Sequence, residues 1–533
     1  MTSKDVKIIQ DFYKSKNPTR LSQLSENTKK VFICISKYVM NYLVSYPNSR
    51  TDLALIALRK LDPFNYSCLS HLNVTFTTTQ RNVIEYFNYV KSLLVCLSTG
   101  SGKTLVAYAI SQYYLNKYPN NKVIVISPLT LIKNFHKESK KFGGIIDDRY
   151  SFFSFEKFLR LDKDGKTVDC NNSLLIIDEV HILRNFMGKK YDSAMLCSIH
   201  AHKILLLTAT PLVNSTSDYI SIINLLYQNY IINKERTQHV LDIINRGEGN
   251  TLGKIMSIDT PYNIKISHSR DPDVRQKVQI EQLSIIGKLL AGHVVYKPKL
   301  DNDNFPSHNT HVEFVDMSFT YLNSYMNAIE KSEENALFSN PKVFWNGYRR
   351  AVNRLGIEYY SSKVKAITPK IKGMQSIIFS NWIEYGTEIL GKILADNNIT
   401  YGIISGNTTI TERNKIIYKF NNSKISTLII TKAGKEGIDL KGVRNVVVLD
   451  PAWSPSSIEQ IVGRAVRYNS HAHLPPDQRH VDVYLMQLKE PYITTDDLEL
   501  SKSGDVILYN IVKNKSLLTD ESNNMLNQIS SVI

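Results

Sequence analysis

The stretch LLVCLSTGSGKTLVAYAISQYYL, residues 93–115, joins a continuous apolar run to a glycine-bearing turn and then to a helix-like segment. A strand, a glycine turn and a helix start form the usual context of a phosphate-binding loop. Glycines let backbone N–H groups approach an anion, and a helix N-terminus favours negative charge. The predicted nucleotide-binding residues are Ser98, Thr99, Gly100, Ser101, Gly102, Lys103 and Thr104.

Two residues of this loop have predicted chemical roles. Lys103 is expected to reach the β and γ phosphates of a nucleoside triphosphate, and the Thr104 hydroxyl is expected to bind Mg²⁺. One position departs from the pattern, because Leu97 stands six residues before Lys103, where a small residue is usual. An ordinary glycine turn is the alternative interpretation.

Seven further apolar runs resemble the one at 93–97, and helix-like segments separate them. Continuous apolar runs alternating with helices are typical of parallel strands covered on both faces. The pattern therefore predicts an α/β fold with two parallel-sheet domains in tandem. The runs are at 123–127, 174–178, 203–208, 376–380, 401–405, 426–430 and 445–450.

The domain organisation follows from where this alternation begins, stops and resumes. Polar and aromatic residues dominate between the two sets of runs, and the first 70 residues carry helical patterns without recognisable chemistry. We expect a helical N-terminal segment over 1–70, an ATPase domain over 71–225, a mostly helical insertion over 226–370, a second α/β domain over 371–500 and a helical tail over 501–533.

Composition places the chain among globular proteins. It has 533 residues, of which 43% are hydrophobic and 21% charged, and no apolar run approaches the ~18 residues that span a bilayer. The N-terminus lacks the apolar core of a signal peptide. These features predict a cytoplasmic protein with no membrane partner.

Charge and cysteine content carry weaker signals. The formal net charge of +16 favours a polyanionic partner through long-range attraction and counterion release, although a basic surface can also serve solubility alone. The five cysteines are scattered and form no CxxC pair, which argues against a disulfide framework and a zinc ribbon. Reduced thiols are therefore expected.

Acidic and hydroxyl side chains follow two of the apolar runs. LLIIDEVH, 174–181, ends in two carboxylates at the carboxyl edge of the predicted sheet, where ligands of such sheets bind. Asp178 is expected to hold Mg²⁺, and Glu179 to polarise the attacking water as general base. In LLLTATPLVN, 205–214, the hydroxyls of Thr208 and Thr210 follow a third apolar run and are candidates for relaying the nucleotide state; an ordinary strand end is the alternative.

Gln80, just ahead of the first strand, is a candidate for reading adenine through its amide. The alternative is an exposed glutamine without that role.

The second predicted domain contributes a glycine turn and two arginines. TKAGKEGIDL, 431–440, follows an apolar run and suits a close approach of backbone to phosphate or to a nucleic-acid strand. Its Gly437 and Asp439 are predicted nucleotide-binding residues. In SSIEQIVGRAVRYN, 456–469, Arg464 and Arg467 are three apart in a helix-like pattern and would share one helix face.

A triphosphate bound by the first domain supplies an anion for these arginines. Both are predicted to reach the γ phosphate from the second domain, as arginine fingers do, so hydrolysis would require the domains to close. A solvated stripe is the alternative for an isolated pair of arginines at this spacing.

Taken in order, these blocks resemble the superfamily 2 helicases and translocases over about 76–490. IIFSNW (377–382), TKAGKEGIDL and DPAWSP (450–455) are similar to the Swi/Snf-type ATPases. QIVGRAVRYNSHAHLPPDQRHVDVYLM, 460–486, resembles the poxvirus nucleoside triphosphate phosphohydrolase I family and its relatives in cytoplasmic DNA viruses and linear plasmids. The resemblance implies two RecA-like domains, ATP and Mg²⁺ as ligands, and hydrolysis carried by Lys103, Asp178, Glu179, Gln460, Arg464 and Arg467.

The same resemblance implies an ATP-dependent nucleic-acid translocase that acts in viral-type transcription, for example in transcript release or termination. DNA is favoured over RNA because the arginine motif has Ala465 and Val466 where RNA helicases usually read QxxGRxGR. An RNA polymerase or transcription complex is the predicted partner, and a virion-associated fraction is compatible with the family. Three alternatives stay open: a subunit for early transcription initiation, an RNA helicase, and an assembly subunit that never hydrolyses its nucleotide.

Two basic stretches lie outside these motifs. FWNGYRR, 344–350, mixes aromatic residues with arginines, as surfaces that bind single strands do, and a packed helix is the alternative. KNFHKESKKF, 133–142, follows the second apolar run, where superfamily relatives contact the sugar-phosphate backbone.

Overall fold

The structure is a computed structural model, which describes residues 2–42, 50–98, 100–163, 168–229, 272–297, 305–336, 347–355, 360–432, 438–450, 452 and 454–530. The chain divides into two compact units. Unit 1 comprises Met1–Ser98, Gly102–Leu300 and Leu518–Ile533, and unit 2 comprises Thr99–Ser101 and Asp301–Leu517.

Unit 1 is built on a parallel sheet. Its strands are β1 (Ser92–Leu97), β2 (Lys122–Ile126), β3 (Tyr150–Phe153), β4 (Ser173–Asp178), β5 (Lys203–Thr208) and β6 (Val294–Lys297). Among the described residues these six strands lie in the order β3-β2-β4-β5-β1-β6, and every neighbouring pair is parallel. Three strands that carry candidate site residues, β4, β5 and β1, are therefore adjacent.

Apolar clusters cover both faces of this sheet. Leu94 and Cys96 of β1 pack into one cluster, while Leu93 and Val95 pack into another. Successive side chains of a strand point to opposite faces, so a strand buried on both sides needs an uninterrupted apolar run. This confirms the prediction made from the continuous run at 93–97.

Unit 2 repeats the architecture with a second parallel sheet. Its strands are β7 (Ser307–Asp316), β8 (Ser376–Phe379), β9 (Tyr401–Ile404), β10 (Thr427–Ile430), β11 (Asn445–Val448) and β12 (His480–Lys489). In the described part of the chain their order is β7-β12-β11-β8-β10-β9, again with all neighbours parallel. The predicted fold class of two tandem RecA-like α/β domains is confirmed.

Helices account for most of the remaining described residues. The N-terminal segment contains α1 (Ser3–Ser15), α2 (Glu26–Tyr42) and α3 (Arg50–Leu61). They are followed by α4 (Thr78–Tyr89), α5 (Lys103–Lys117), α6 (Leu129–Lys141), α7 (Phe155–Lys163), α8 (Lys189–His200), α9 (Asp218–Tyr227) and α10 (Pro272–Leu290). Then come α11 (Phe319–Ala336), α12 (Ser362–Lys365), α13 (Thr368–Ile371), α14 (Glu388–Asp396), α15 (Ile410–Asn421), α16 (Pro455–Ala465) and α17 (Gly504–Ile529).

No helix in the described ranges is both long and apolar enough to cross a membrane. The domain limits expected from the sequence stay a prediction, since much of the stretch 226–370 lies outside the described residues.

A buried carboxylate organises the N-terminal segment. Asp5 in α1 accepts hydrogen bonds from the Ser25 backbone N–H at 3.0 Å and from the Ser25 and Thr28 hydroxyls, each at 2.9 Å. These bonds, led by the one from the Ser25 backbone, hold the pKa of Asp5 well below its ordinary value. The carboxylate thus joins α1 to the start of α2.

The expectation of reduced thiols is wrong for two cysteines. Cys170, just before β4, and Cys197 in α8 form a disulfide with a Cα–Cα distance of 5.3 Å, while Cys34, Cys68 and Cys96 are free thiols. The two cysteines are 27 residues apart in sequence, and only the packing of α8 beside the start of β4 brings them together. No spacing pattern in the sequence predicts such a pair.

Replacing Cys197 by serine is expected to lower the free energy of unfolding of the oxidised protein by about 3 kcal/mol. The crosslink closes a loop of 27 residues and so restricts the unfolded chain. Denaturant unfolding with and without reductant measures the effect, and Cys34→Ser, which removes an exposed free thiol, is the control. Finding all five cysteines reactive in the oxidised protein would contradict the prediction.

Candidate active site

The candidate site lies at the carboxyl edge of the unit 1 sheet, where three adjacent strands end. Asp178, the last residue of β4, is opposite Leu207 of β5, and Thr208 of β5 is opposite Cys96 of β1. The loop that follows β1 leads directly into α5. Parallel order thus brings together groups that are about 100 residues apart in sequence.

The phosphate loop has the backbone that its glycines predict. Gly100 and Gly102 have φ angles of 77° and 85°, values that L side chains rarely adopt, and Gly102 is the N-cap of α5. Thr99 lies outside the described residues. The first N–H groups of α5 have no partner within the helix, and together with the helix dipole they favour an anion.

Lys103 begins α5, and its ammonium faces the loop. Nζ donates to the carbonyl oxygens of Leu97 at 2.9 Å and Ser98 at 3.0 Å. The Leu97 carbonyl, rather than its side chain, therefore helps to position the lysine. This arrangement keeps the charge beside the loop, where a phosphate would replace carbonyl oxygens as its partner.

The two carboxylates differ in environment. Burial, and then the charge of Glu179, raise the pKa of Asp178 to about 7, while the nearby Lys103 ammonium opposes this. The Glu179 backbone N–H donates to Asp178 Oδ1 at 3.0 Å. Glu179 has a φ of 56°, an uncommon conformation for a non-glycine residue that places it directly after the strand end.

The oxygen ligands present suit Mg²⁺. Asp178 provides a carboxylate whose negative charge is disfavoured by burial, and Thr104 provides a hydroxyl in the first turn of α5. Mg²⁺ prefers such oxygens and usually takes one or two carboxylates together with substrate phosphates. A cation at Asp178 would relieve the unfavourable burial of its charge.

His181 is a site residue that the sequence analysis missed. Its Nδ1 lies 3.2 Å from Glu179 Oε2 and 3.0 Å from the Thr208 hydroxyl oxygen, and the Thr210 backbone N–H donates to that same hydroxyl at 3.1 Å. The imidazole thus connects the end of β4 to the end of β5. Its place in LLIIDEVH was a signal, because it follows the carboxylates by two residues.

Replacing His181 by alanine is expected to lower ATP turnover about tenfold and to leave the KM for ATP nearly unchanged. The change removes the 3.2 Å contact of the imidazole with the carboxylate proposed as base and its hydrogen bond with Thr208, together worth about 1–1.5 kcal/mol. Steady-state kinetics measure it, with His200→Ala, an exposed histidine of α8, as control. Equal losses in both variants would indicate that His181 has no special position.

Gln80 lies beside the phosphate loop, near the start of α4. Its Oε1 accepts from the Thr77 backbone N–H at 3.0 Å, which closes a capping box with the Thr77 hydroxyl. A Cβ placed on Gly102 would stand 2.6 Å from Gln80 Nε2, so the amide is packed against the loop. Recognition of adenine by this amide stays a prediction.

The arginines of unit 2 differ from the expected helix face. Helix α16 contains Gln460 and Arg464 but ends at Ala465, and Val466 has extended backbone. Arg467 therefore lies beyond the helix, where its Nε donates to the Gly463 carbonyl at 3.0 Å. The Ser470 hydroxyl donates to the Ala465 carbonyl at 3.1 Å, which satisfies a carbonyl of the last helical turn.

Asp439, the predicted nucleotide-binding residue of the glycine turn, lies near this arginine. Its Oδ1 is 3.5 Å from Arg467 Nη1, and its side chain is 78% exposed. An ion pair this long and this exposed stabilises little. Gly437 lies outside the described residues, so its predicted role stays untested.

Three family profiles match the chain. They are a SNF2-related domain over residues 154–344, the helicase conserved C-terminal domain over 362–469, and the res subunit of type III restriction enzymes over 73–213.

Individual proteins match over most of their length. The predicted ATP-dependent RNA helicase L538 of Acanthamoeba polyphaga mimivirus is 29% identical over 76% of this chain and 87% of its own. Nucleoside triphosphatase I of Choristoneura biennis entomopoxvirus is 25% identical over 80% of this chain and 74% of its own. The killer plasmid pGKL-2 helicase of Kluyveromyces lactis is 24% identical over 81% of this chain and 67% of its own.

Among solved structures, the Sulfolobus solfataricus SWI2/SNF2 ATPase core in complex with double-stranded DNA matches 87% of this chain and 98% of that chain. The identity is 16% and the TM-score 0.35.

Proposed function

Because the chain is an ATP-hydrolysing superfamily 2 enzyme of the Swi/Snf type, related to viral helicases and nucleoside triphosphatases, we propose that it couples ATP hydrolysis to movement along DNA. The observation that carries the proposal is the contact of His181 with both Glu179 and Thr208. It links the proposed hydrolytic carboxylate to the end of a neighbouring strand. Such a link is what a motor needs to sense its nucleotide.

The hydrolytic step is proposed to use residues from both units. The phosphate loop, with Lys103, binds the β and γ phosphates, and Glu179 accepts a proton from the attacking water. Mg²⁺ held by Thr104 and Asp178 would supply positive charge to the phosphate oxygens. Arg464 and Arg467, with Gln460 in the same segment, act on the γ phosphate when the units close. Each cycle of closing and opening of the two units then moves the protein along the bound DNA strand.

DNA is the proposed polyanionic track. The net charge of +16 supports nucleic acid in general, because each phosphate neutralised by Lys or Arg releases counterions. The match to the SNF2-related profile supports DNA, whereas the name of the mimivirus relative points to RNA. RNA therefore remains the second candidate track.

A comparison of ATP turnover without nucleic acid and with single-stranded DNA, double-stranded DNA or RNA tests this proposal. Stimulation by DNA beyond that by RNA is the expected result. Equal stimulation by RNA would instead favour an RNA helicase, and turnover that no nucleic acid changes would exclude a motor on either track.

The proposed cellular duty is transcript release or termination in viral-type transcription, with an RNA polymerase as partner. The resemblance of residues 460–486 to the poxvirus nucleoside triphosphate phosphohydrolase I family implies a role in transcription, and the similarity to nucleoside triphosphatase I of entomopoxviruses supports that resemblance. Early initiation is the alternative duty with the same ATPase core. Capture of the tagged full chain from infected or plasmid-bearing cells should co-purify RNA polymerase, and recovery without polymerase would contradict the assignment.

A further inference from the structure

Unit 2 contains a cluster of three arginines and two aromatic rings, here called the arginine–aromatic cluster: Arg349, Arg350, Arg354, Trp382 and Tyr385. Arg349 and Arg350 belong to a helical stretch over residues 347–351, in the part of FWNGYRR that the structure describes. Trp382 and Tyr385 follow strand β8 at its carboxyl end. The cluster therefore lies at the sheet edge where parallel α/β folds bind ligands.

The guanidinium groups stack on the rings. The Arg350 Cζ is 4.7 Å from the centre of the Trp382 ring and 5.5 Å from that of Tyr385. Arg349 approaches the same Trp382 ring at 5.3 Å, and Arg354 approaches Tyr385 at 6.0 Å. All four distances are within the range of cation–π attraction.

A buried carboxylate fixes the two halves of the cluster to each other. Asp450, after β11, accepts hydrogen bonds from the Asn353 side chain, the Ser380 hydroxyl and the Asn381 backbone N–H. Asn353 also donates to the Tyr385 carbonyl at 2.9 Å. The charge of Asp450 is thus buried and already hydrogen-bonded, and it holds the arginine-bearing segment against the segment that carries the rings.

Arg350 and Arg354 are more exposed to solvent than Arg349. Arg349 is 7% exposed and packs inside, whereas Arg350 is exposed and Arg354 half-buried. Arg354 Nη1 donates to the Glu384 carbonyl at 3.2 Å, which fixes its orientation. Residues 347–355 and 380–388 contain three arginines and two acidic residues, Glu384 and Glu388, and the buried Asp450 adds a third carboxylate. The positive charge that the cluster offers at its surface is therefore that of the exposed Arg350.

We propose that Arg350, with Arg354 beside it, binds the phosphates of a nucleic-acid strand. Stacking holds the planar guanidinium in one orientation, so little entropy is lost when its N–H groups meet phosphate oxygens. Because guanidinium groups already contact both rings, we infer that recognition is of the backbone and independent of base sequence. This inference rests on the proposed function and extends it to a DNA contact by Arg350 and Arg354, which lie outside the motifs that carry the family resemblance.

The test is the salt dependence of binding to a fluorescent duplex, measured by anisotropy for the parent chain and for Arg350→Ala. Removing one phosphate contact should reduce the slope of log K against log salt by about 0.9 and weaken low-salt binding about tenfold. The loss should be the same for duplexes of different sequence. Arg350→Lys, which keeps the charge, should restore most of the slope.

Arg20→Ala, which removes an arginine with a 68% exposed side chain from the N-terminal segment, is the matched control and should leave the slope unchanged. The melting temperature of Arg350→Ala separates a local effect from unfolding. If the slope of log K against log salt is the same for Arg350→Ala as for the parent, the inference is overturned and the cluster has only a packing role. A loss of affinity confined to duplexes of one sequence would overturn the assignment of the contact to the DNA backbone.

The parent chain separates this inference from the proposed function on which it rests. A parent that binds the duplex without any stimulation of ATP turnover contradicts the motor while the phosphate contact stands. If DNA stimulates ATP turnover by the parent chain, but Arg350→Ala has the same slope of log K against log salt as the parent, only the phosphate contact is contradicted.

Discussion

Glu179→Gln is expected to lower the ATP turnover number by about 10²–10⁴-fold, while ATP and DNA still bind. The amide has nearly the same shape as the carboxylate, so the unusual backbone at φ 56° and the neighbouring His181 can remain in place. What is lost is the ability to accept a proton from the attacking water. Turnover assays, together with fluorescent-nucleotide and duplex titrations, measure both halves of the prediction.

Glu156→Gln is the matched control, because Glu156 is an exposed carboxylate of unit 1 paired with Lys190 at 2.6 Å. It should keep parent-like turnover.

The Glu179 variant also separates a motor from an assembly subunit with a structural nucleotide: a motor loses its cellular role with hydrolysis, and a scaffold retains it. If Glu179→Gln hydrolyses ATP at the parent rate, Glu179 is not the general base.

The central strands of both sheets could be predicted because burial on both faces demands uninterrupted apolar runs. The run at 203–208 coincides with β5, and the other central runs lie within a residue or two of their strands. The edge strands β3, β6 and β7, and β12 beside β7, were not singled out, whereas the edge strand β9 matches the run at 401–405. In β7, SHNTHVEFVD, most side chains are exposed, so the periodic signal of a doubly buried strand is missing.

The candidate site could be predicted where its residues are adjacent in sequence. The glycine turn before Lys103 and the paired carboxylates at the end of β4 are each contiguous, so a short stretch of sequence is enough to propose their chemistry. The contacts of His181 with Thr208 and of Cys170 with Cys197 depend on packing between elements, which no local pattern encodes. The end of α16 was also missed, because Val466 and Arg467 continue an apolar and basic periodicity that the backbone leaves at Ala465.

Arg467→Ala is expected to lower kcat by about 10³–10⁵-fold and to change the affinity for ATP little. An arginine supplied to the γ phosphate only on closure stabilises charge that develops in the transition state, so its removal leaves ground-state binding intact. The position after the helix end suits such a role, since Nε is anchored by the Gly463 carbonyl while Nη1 makes a long, exposed contact with Asp439. Single-turnover kinetics with saturating DNA and a separate nucleotide titration measure the two effects.

Lysine at position 467 should not restore turnover, because a point charge lacks the planar fork that grips two phosphate oxygens. Arg464→Ala should lower kcat in the same direction and also weaken stimulation by DNA, if Arg464 anchors the closed state. Lys103→Ala provides the contrast, since a lysine in the loop that binds ground-state phosphates should reduce ATP binding and turnover together. Parent-like hydrolysis by Arg467→Ala at saturating DNA would mean that the arginines of α16 and its C-terminal end face solvent or protein, and that the γ phosphate obtains its positive charge elsewhere.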